Sequence, residues 1–296
     1  MIGSRPRTSL RRTTTMGALI AAAGLLLAGC GDDDGGSDAP AAAPAATGAV
    51  SNQPTTPDVD LVSDGKLTVC TSLPYAPFEA NQGGKVQGLD VDLMDLVSAK
   101  LGVTTDIKDT GFDGIQSGAA LNAGQCDIAA AGMTITPERQ KSIDFSTPYF
   151  DANQALVSKK GSGITSLDAA KGKKLTSQEA TTGEKYARDA GLDPVSVGTP
   201  DLQFNALKSG QADVAIQDLP VVSEWLKDSA NSDFEISATI QTGEQYGFGV
   251  KKGNSALLDV VNSTLQGAQS DGTYDEIYTK WIGEVPSSAA TPAPVG

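Results

Sequence analysis

The chain has 296 residues and not one histidine. That removes the commonest general base and the commonest metal ligand together. Basic residues are short as well, with 22 Lys and Arg against 36 Asp and Glu and a net charge of −14. Four of the 22 are Arg5, Arg7, Arg11 and Arg12, in a first stretch of 29 residues that holds no acid. Without that stretch 18 basic residues face 36 acidic ones, a net of −18 that repels phosphate backbones and excludes nucleic acid as a partner. The sequence contains no GxSxG, P-loop, HExxH, CxxC or calcium-loop spacing, and Gly114-Ile115-Gln116-Ser117-Gly118 has its serine in the wrong place. No cofactor and no metal are expected. Aromatic residues are sparse, with seven Phe, six Tyr and two Trp, and there are only three cysteines.

One apolar run is present, GALIAAAGLLLAG, preceded by the four arginines and ending at Cys30. It is too short to span a membrane and reads as the core of a signal peptide over residues 1–29. Leu27-Ala28-Gly29-Cys30 resembles the lipobox of bacterial lipoproteins. The resemblance implies cleavage before Cys30 and a diacylglycerol on its sulfur, which anchors the chain on the outer face of the cell membrane. Arg11-Arg12 leaves the export route, general or twin-arginine, open. Residues 30–63 are Ala-, Pro-, Gly-, Thr- and Asp-rich, with too little apolar surface to repay ordering. They are expected to form a tether that holds the folded part about 30 Å from the bilayer. The end of the chain, residues 285–296, reads as a second disordered tail.

Cys70 and Cys126 remain, in an exported setting where paired thiols commonly bond. Cys70 falls late in one expected strand and Cys126 at the start of another. Were those strands parallel neighbours, the two would sit out of register, so the pairing is left open.

A phrase is written twice, 86 residues apart: ALNAGQCDIA at Ala120 and ALKSGQADVA at Ala206. Each copy reads as the end of a helix, a glycine stop (Gly124, Gly210) and a short buried strand. Each is preceded by another strand, LTVC at Leu67 and KLTS at Lys174, with amphipathic helices between. DVDLMDLVSAKLG forms one of these, Thr181 with Glu184 caps a second, and Thr199 with Pro200 opens a third. The same strand–helix–strand step thus occurs in two α/β lobes. Ligands of such sheets collect beyond the carboxyl ends of the strands, so GMTITPER and QDLPVV are expected to face each other across a cleft.

LTVCTSLPYAPFEANQGGKVQGLDVDLMDLVSAKLG, GFDGIQSGAALNAGQCDIAAAGMTITPERQKSIDFSTPYF and SDGTYDEIYTKWIG together resemble the family-3 extracellular solute-binding proteins, the polar amino-acid-binding proteins of ABC importers. The resemblance covers about Lys66 to Gly283. It implies a periplasmic-binding-protein-like fold of two lobes, each a central β-sheet flanked by helices, joined by two crossing segments at a hinge. The lobes are assigned to residues 64–153 with 247–284, and to residues 154–246. The implied partners are one free amino acid and the permease subunits of an importer, and a monomer is expected.

Recognition of a free amino acid requires a cation for its carboxylate, an anion for its ammonium and apolar walls. Arg139 can grip a carboxylate with two parallel hydrogen bonds, and is expected in the first turn of a helix capped by Thr136 with Pro137 next. The plain alternative is one charge of an exposed ERQK face. By resemblance the backbone at Ala131 and Gly132, with the amide and hydroxyl of Thr134, completes this carboxylate site. Asp218 follows the second copy of the repeat and matches the ammonium-binding carboxylate; capping the next helix is its alternative role. Thr181 and Thr182 match the second lobe's carboxylate-contacting loop, with Ala180 where glycine is commoner. Tyr75 and Phe112 match the aromatic pair flanking the ligand stem, whereas Phe78 and Trp281 read as packing. Ser72, Gln178 and Gln217 fall at side-chain-contacting positions. No acid stands at Ser72, which argues against a cationic ligand, and no added base suits glutamate. A neutral polar amino acid, glutamine first, is the expected ligand.

Two other functions stay open from the sequence. Cyclohexadienyl dehydratases share the fold and eliminate with pocket carboxylates, a role Glu79 or Glu179 could take. The same two-lobe unit also serves as a ligand-sensing module in signalling systems.

Overall fold

The computed structural model describes residues 58–285. The leader, the Cys30 lipidation site and the tail residues 286–296 lie outside them. The tether assigned to residues 30–63 overlaps them at residues 58–63. There Val59 and Leu61 pack against the hydrophobic core, and the Val62 amide donates to Asp127 at 2.6 Å. No helix among the described residues is long and apolar enough to cross a membrane.

The chain opens with β1 (Lys66–Thr71), the hairpin β2 (Ala80–Gln82) and β3 (Lys85–Gln87), and α1 (Leu89–Leu101). Then come β4 (Thr104–Asp109), two short helices α2 (Phe112–Gln116) and α3 (Ala119–Asn122), β5 (Ile128–Ala129) and β6 (Ile143–Phe145). Strand β7 (Phe150–Lys159) carries the chain into a second sheet. There it continues through β8 (Leu175–Gln178), α4 (Thr182–Asp189), β9 (Val195–Val197), α5 (Pro200–Ser209), β10 (Val214–Asp218) and α6 (Leu219–Trp225). Strand β11 (Phe234–Tyr246) returns, and β12 (Gly249–Lys251), α7 (Ser255–Asp271) and α8 (Thr273–Trp281) complete the first lobe.

The two sheets have matching orders. The first runs β4-β1-β5-β12-β6, and the second, read from its other edge, runs β9-β8-β10-β7-β11. In each the first three strands are parallel and the fourth is antiparallel to the third. The repeated phrase ends in β5 and in β10, the same position of the two sheets. Its glycines take the left-handed conformation, φ 65° at Gly124 and 72° at Gly210, that a helix-to-strand reversal needs.

Its aspartate also does the same work twice. Asp127 accepts the Thr68 amide at 2.7 Å and donates its own amide to Thr68 O at 2.9 Å. Asp213 accepts the Lys174 amide at 2.8 Å and donates to Lys174 O at 2.8 Å. Thr68 and Lys174 both stand one residue before the register pairs Val69–Ile128 and Leu175–Val214. The phrase is therefore a clamp that pins β5 to β1 in one lobe and β10 to β8 in the other.

Two strands cross between the sheets. β7 and β11 pair antiparallel from Phe150–Tyr246 to Lys159–Phe234, so the crossing is one hydrogen-bonded ribbon. Register shifts between Ile236 and Ala238 and between Ile240 and Glu244 break its regularity. Phe78, Phe150, Tyr149, Tyr246 and Phe248 stack beside it; Phe78 meets Phe150 edge-on at 4.9 Å, and Tyr149 lies over Phe248 at 4.1 Å. Phe78 is fully buried, and Trp281 packs on the core while its indole donates to Asp92 at 2.7 Å.

Cys70 and Cys126 form a disulfide, their Cα atoms 5.7 Å apart. Cys70 is in register with Ala129, three residues beyond Cys126. The expected strand from Cys126 is shorter than its apolar run, beginning at Ile128, and Cys126 belongs to the reversal after Gly124. The turn brings its sulfur back, which an extended residue three positions out of register could not do.

Candidate functional site

Between the sheets lies a small cavity at the carboxyl ends of β1, β5, β8 and β10. Eleven of the twelve residues expected to contact a ligand line it: Ser72, Tyr75, Phe112, Ala131, Gly132, Thr134 and Arg139 from the first lobe, Gln178, Thr181, Thr182 and Asp218 from the second. Gln217 does not. It sits one residue before Asp218 on β10, its oxygen accepting the Tyr75 hydroxyl at 3.3 Å and the Asp218 amide at 2.7 Å while its amide nitrogen donates to Gln178 and Gln203, so its polar groups are taken up behind the lining residues. The cavity measures about 10 Å³, room for about one water, so anything as large as an amino acid enters only when the lobes part. An open groove of about 1070 Å³ shares Thr134, Arg139, Thr181 and Thr182 with it and leads to solvent.

Arg139 is buried, 5% exposed, and is not one charge of a solvated face. The expected helix around it is only a three-residue 3-10 turn, Arg139–Lys141, too short to carry a useful dipole. Its N-cap is Glu138 rather than Thr136, although the Thr136 hydroxyl accepts the Arg139 amide at 3.2 Å. The guanidinium lies 5.2 Å over the Phe112 ring. One terminal nitrogen donates to Thr134 O at 2.8 Å and the other crosses the cleft to Ala180 O at 3.2 Å. Burial lowers its pKa to about 10, while Asp218 and Glu244 favour the charged form, so it is a cation at neutral pH.

Asp218 faces it from the second lobe, 6% exposed. It stands at the start of α6, yet its side chain makes no capping bond. The carboxylate accepts the Tyr75 hydroxyl at 2.6 Å and also the Tyr246 hydroxyl and the Gln154 amide. Burial raises its pKa; the donated hydrogen bonds oppose that, and Glu244 adds to it. Gln154 also donates to Glu244 at 3.0 Å. Tyr246, Gln154 and Glu244 come from the two crossing strands, and nothing local in the sequence singles them out, because only the ribbon brings them to Asp218.

Two assignments need correction, one of a backbone amide and one of a hydroxyl. The Gly132 amide is not free for a carboxylate: it donates to Asp90 at 3.0 Å, which leaves its carbonyl as the group it can offer. Glycine is required there, since at φ 49° a Cβ would lie 2.5 Å from the Tyr75 ring. The Thr181 hydroxyl is spent too, donating to Gln178 O at 2.7 Å and accepting the Glu184 amide at 3.1 Å as the α4 cap. The capping box closes one residue early, with Glu184 accepting the amide of Ala180 at 2.8 Å rather than that of Thr181. Ala180 adopts φ 64°, the left-handed region that favours the glycine it replaces. The Thr134 amide makes no sheet bond, because the neighbouring bonds run from Ile135 and Gly247.

Beneath Gly132 is a buried carboxyl pair. Asp90 accepts the Gly132 amide and the Tyr149 hydroxyl at 2.7 Å, and burial raises its pKa to about 7. Glu79, fully buried beside it, is raised well above the usual range by burial and by Asp90. Neither lines the cavity, and Glu179 is exposed. Among the described residues no group of three or more His, Cys, Asp or Glu is placed to hold a metal.

Residues 67–284 match the bacterial extracellular solute-binding proteins, family 3. The chain is 34% identical over 210 residues to the ABC transporter glutamine-binding protein GlnH of Bacillus subtilis, covering 69% of this chain and 76% of that one. Its fold is similar to an ancestral arginine-binding protein bound to glutamine, with a TM-score of 0.71 and 42% identity over 75% of this chain and all of that one. It is also similar to AncCDT-1, an ancestral amino acid-binding protein described as a precursor of cyclohexadienyl dehydratase, with a TM-score of 0.67 and 34% identity over 74% and 95% of the two chains. The match over residues 67–284, with likeness in both sequence and fold to these relatives, shows that this chain belongs to the bacterial extracellular solute-binding proteins, family 3.

Proposed function

We propose that the protein captures one free amino acid between its lobes and delivers it to the permease of an ABC importer, held at the outer face of the cell membrane by lipid on Cys30. The observation that carries this is the pair Arg139 and Asp218, buried in one cavity from opposite sheets. A single cation and a single anion, each already desolvated, fit the carboxylate and ammonium of a zwitterion. Arg139, the Thr134 amide and the first turn of α4 take the carboxylate. Asp218 and the Gly132 carbonyl take the ammonium, and Tyr75 and Phe112 enclose the aliphatic stem. Toward the side chain stand Ser72 and Gln178, neutral and polar, which favour a glutamine-like ligand over a charged one.

Ligand contact with both lobes stabilises closure by its differential affinity for the closed state. Arg139 to Ala180 and Tyr75 to Asp218 already cross the cleft, so closing on a ligand exchanges some bonds and adds others. A lyase reading needs a pocket carboxylate beyond Asp218, and neither Glu79 nor Glu179 lines the cavity.

The test is calorimetry of the chain from residue 30 onward, carrying Cys30→Ser, against the twenty amino acids, with scattering on the best binder. Saturable binding with a smaller radius of gyration is expected. A chain that binds none of the twenty, or that releases an aromatic keto acid from prephenate or arogenate, overturns the proposal.

A further inference from the structure

Behind the cavity, three glutamines of the second lobe bond in series, one each from β8, α5 and β10. Gln178, Gln203 and Gln217 are buried, none more than 2% exposed. Gln203 donates its amide nitrogen to Ile216 O at 2.9 Å and to Thr176 O at 3.4 Å. Carbonyls only accept, so the Gln203 oxygen must face the other way, where it accepts from the Gln217 amide nitrogen at 2.8 Å. Independently, the Gln217 oxygen accepts the backbone amide of Asp218 at 2.7 Å, a group that can only donate. Backbone groups of opposite polarity thus fix Gln217 from both ends. Its nitrogen then donates to the Gln178 oxygen at 3.3 Å, and the Gln178 nitrogen donates to Gly198 O at 3.4 Å. Turning any one of the three amides over would set oxygen against oxygen or N–H against N–H in a buried site.

Only Gln178 of the three reaches the cavity. The series uses one of its N–H groups and one lone pair, leaving one donor and one acceptor in fixed directions.

We propose that Gln203 and Gln217 are positioning residues that set ligand selectivity by locking the Gln178 amide in one orientation. That wall of the cavity then accepts a neutral hydrogen-bonding side chain, of the glutamine class, and rejects its charged isostere glutamate. This rests on the amino-acid-capture reading. A locked neutral amide offers no counter-charge for a desolvated carboxylate and cannot turn to present both N–H groups to it. An amide free to rotate can do so, and the discrimination shrinks. Because the three residues come from three different elements, the lock belongs to the lobe itself and precedes the ligand.

Gln203→Met combined with Gln217→Met keeps the volume and removes both residues through which the Gln178 amide is locked. Calorimetry on the same Cys30→Ser chain reads glutamine and glutamate. In the unaltered series glutamate should bind at least about tenfold more weakly, since one unmatched buried polar contact is worth roughly tenfold or more. In the double variant the ratio should fall to within about threefold, with glutamine itself losing less than about tenfold. Equal weakening of both ligands at an unchanged ratio is what a merely structural role gives, and it overturns the proposal. A second measurement needs no variant. In the unaltered chain the Gln178 side-chain amide should give a protected, non-averaged pair of proton resonances, and an averaging, unprotected pair overturns the lock. Should this chain bind arginine or glutamate more tightly than glutamine, the selectivity proposal fails and amino-acid capture stands. Should it bind no amino acid, both fail.

Discussion

Replacing Arg139 with alanine separates the carboxylate contact from everything else in the site. The guanidinium is 5% exposed and remains charged, with a pKa lowered only to about 10. A ligand carboxylate enclosed without it has lost water and gained no opposite charge. Truncating one member of such a pair costs about 2–5 kcal/mol, and at 1.4 kcal/mol per decade that is roughly 30- to several-thousand-fold in Kd. The fold should survive, because Arg139 sits on a three-residue turn and not in an apolar stripe. Two carbonyls lose a donor, Thr134 O and Ala180 O, and water reaches both once the lobes part. The assay compares the best-binding amino acid with its α-carboxamide, by calorimetry, on the unaltered and Arg139→Ala chains. The amide should bind the unaltered chain poorly and lose much less than the parent acid on substitution. That cycle isolates one contact. Equal penalties for acid and amide would show that Arg139 does not hold the carboxylate, and the site assignment would fail with it.

Asp218→Asn should cost a similar amount, read with the deaminated acid, which lacks the ammonium, as the matching probe for that contact. Reduction of Cys70–Cys126, or Cys70→Ser with Cys126→Ser, opens a crosslink of separation 56 and should remove about 4 kcal/mol of stability by chain entropy; denaturant midpoints unchanged by reductant would contradict this. The Asp90 carboxyl, with a pKa raised to about 7, and the raised Glu79 beside it hold protons in the folded state that the unfolded chain has already released. Their contribution is therefore full at acidic pH, below the unfolded carboxyl range, and is lost as pH rises toward about 7. Melting temperature should fall across that window, Glu79→Gln should flatten the fall, and identical profiles would remove the pair as its source. The chain with Cys30 intact should partition into detergent and Cys30→Ser should be shed as soluble or precursor protein; equal membrane recovery would refute lipidation.

The local grammar was in the sequence because it depends on neighbours in the chain. A glycine must follow a helix whose chain turns back, a threonine three residues before a glutamate caps one, and a short apolar run between helices is a buried strand. Two copies of that grammar were enough for two α/β lobes, and strand ends were enough to place Arg139 and Asp218 near one cleft. What the sequence could not settle depends on contacts between distant residues. The reversal after Gly124 brings Cys126 to Cys70, where register counting along an extended strand set them apart. Asp218 lines the cavity, whereas Gln217 beside it is held behind the lining by Gln178, Gln203 and the Tyr75 hydroxyl. The Gly132 amide was lost as a carboxylate donor because Asp90, 42 residues away, occupies it. Tyr246 and Gln154 reach Asp218 only because β7 and β11 pair across the hinge, and pairing of that kind leaves no trace in either strand alone. Residue type fixes which hydrogen bonds a side chain can make, and the packing of the two lobes decides which of them are already taken before a ligand arrives.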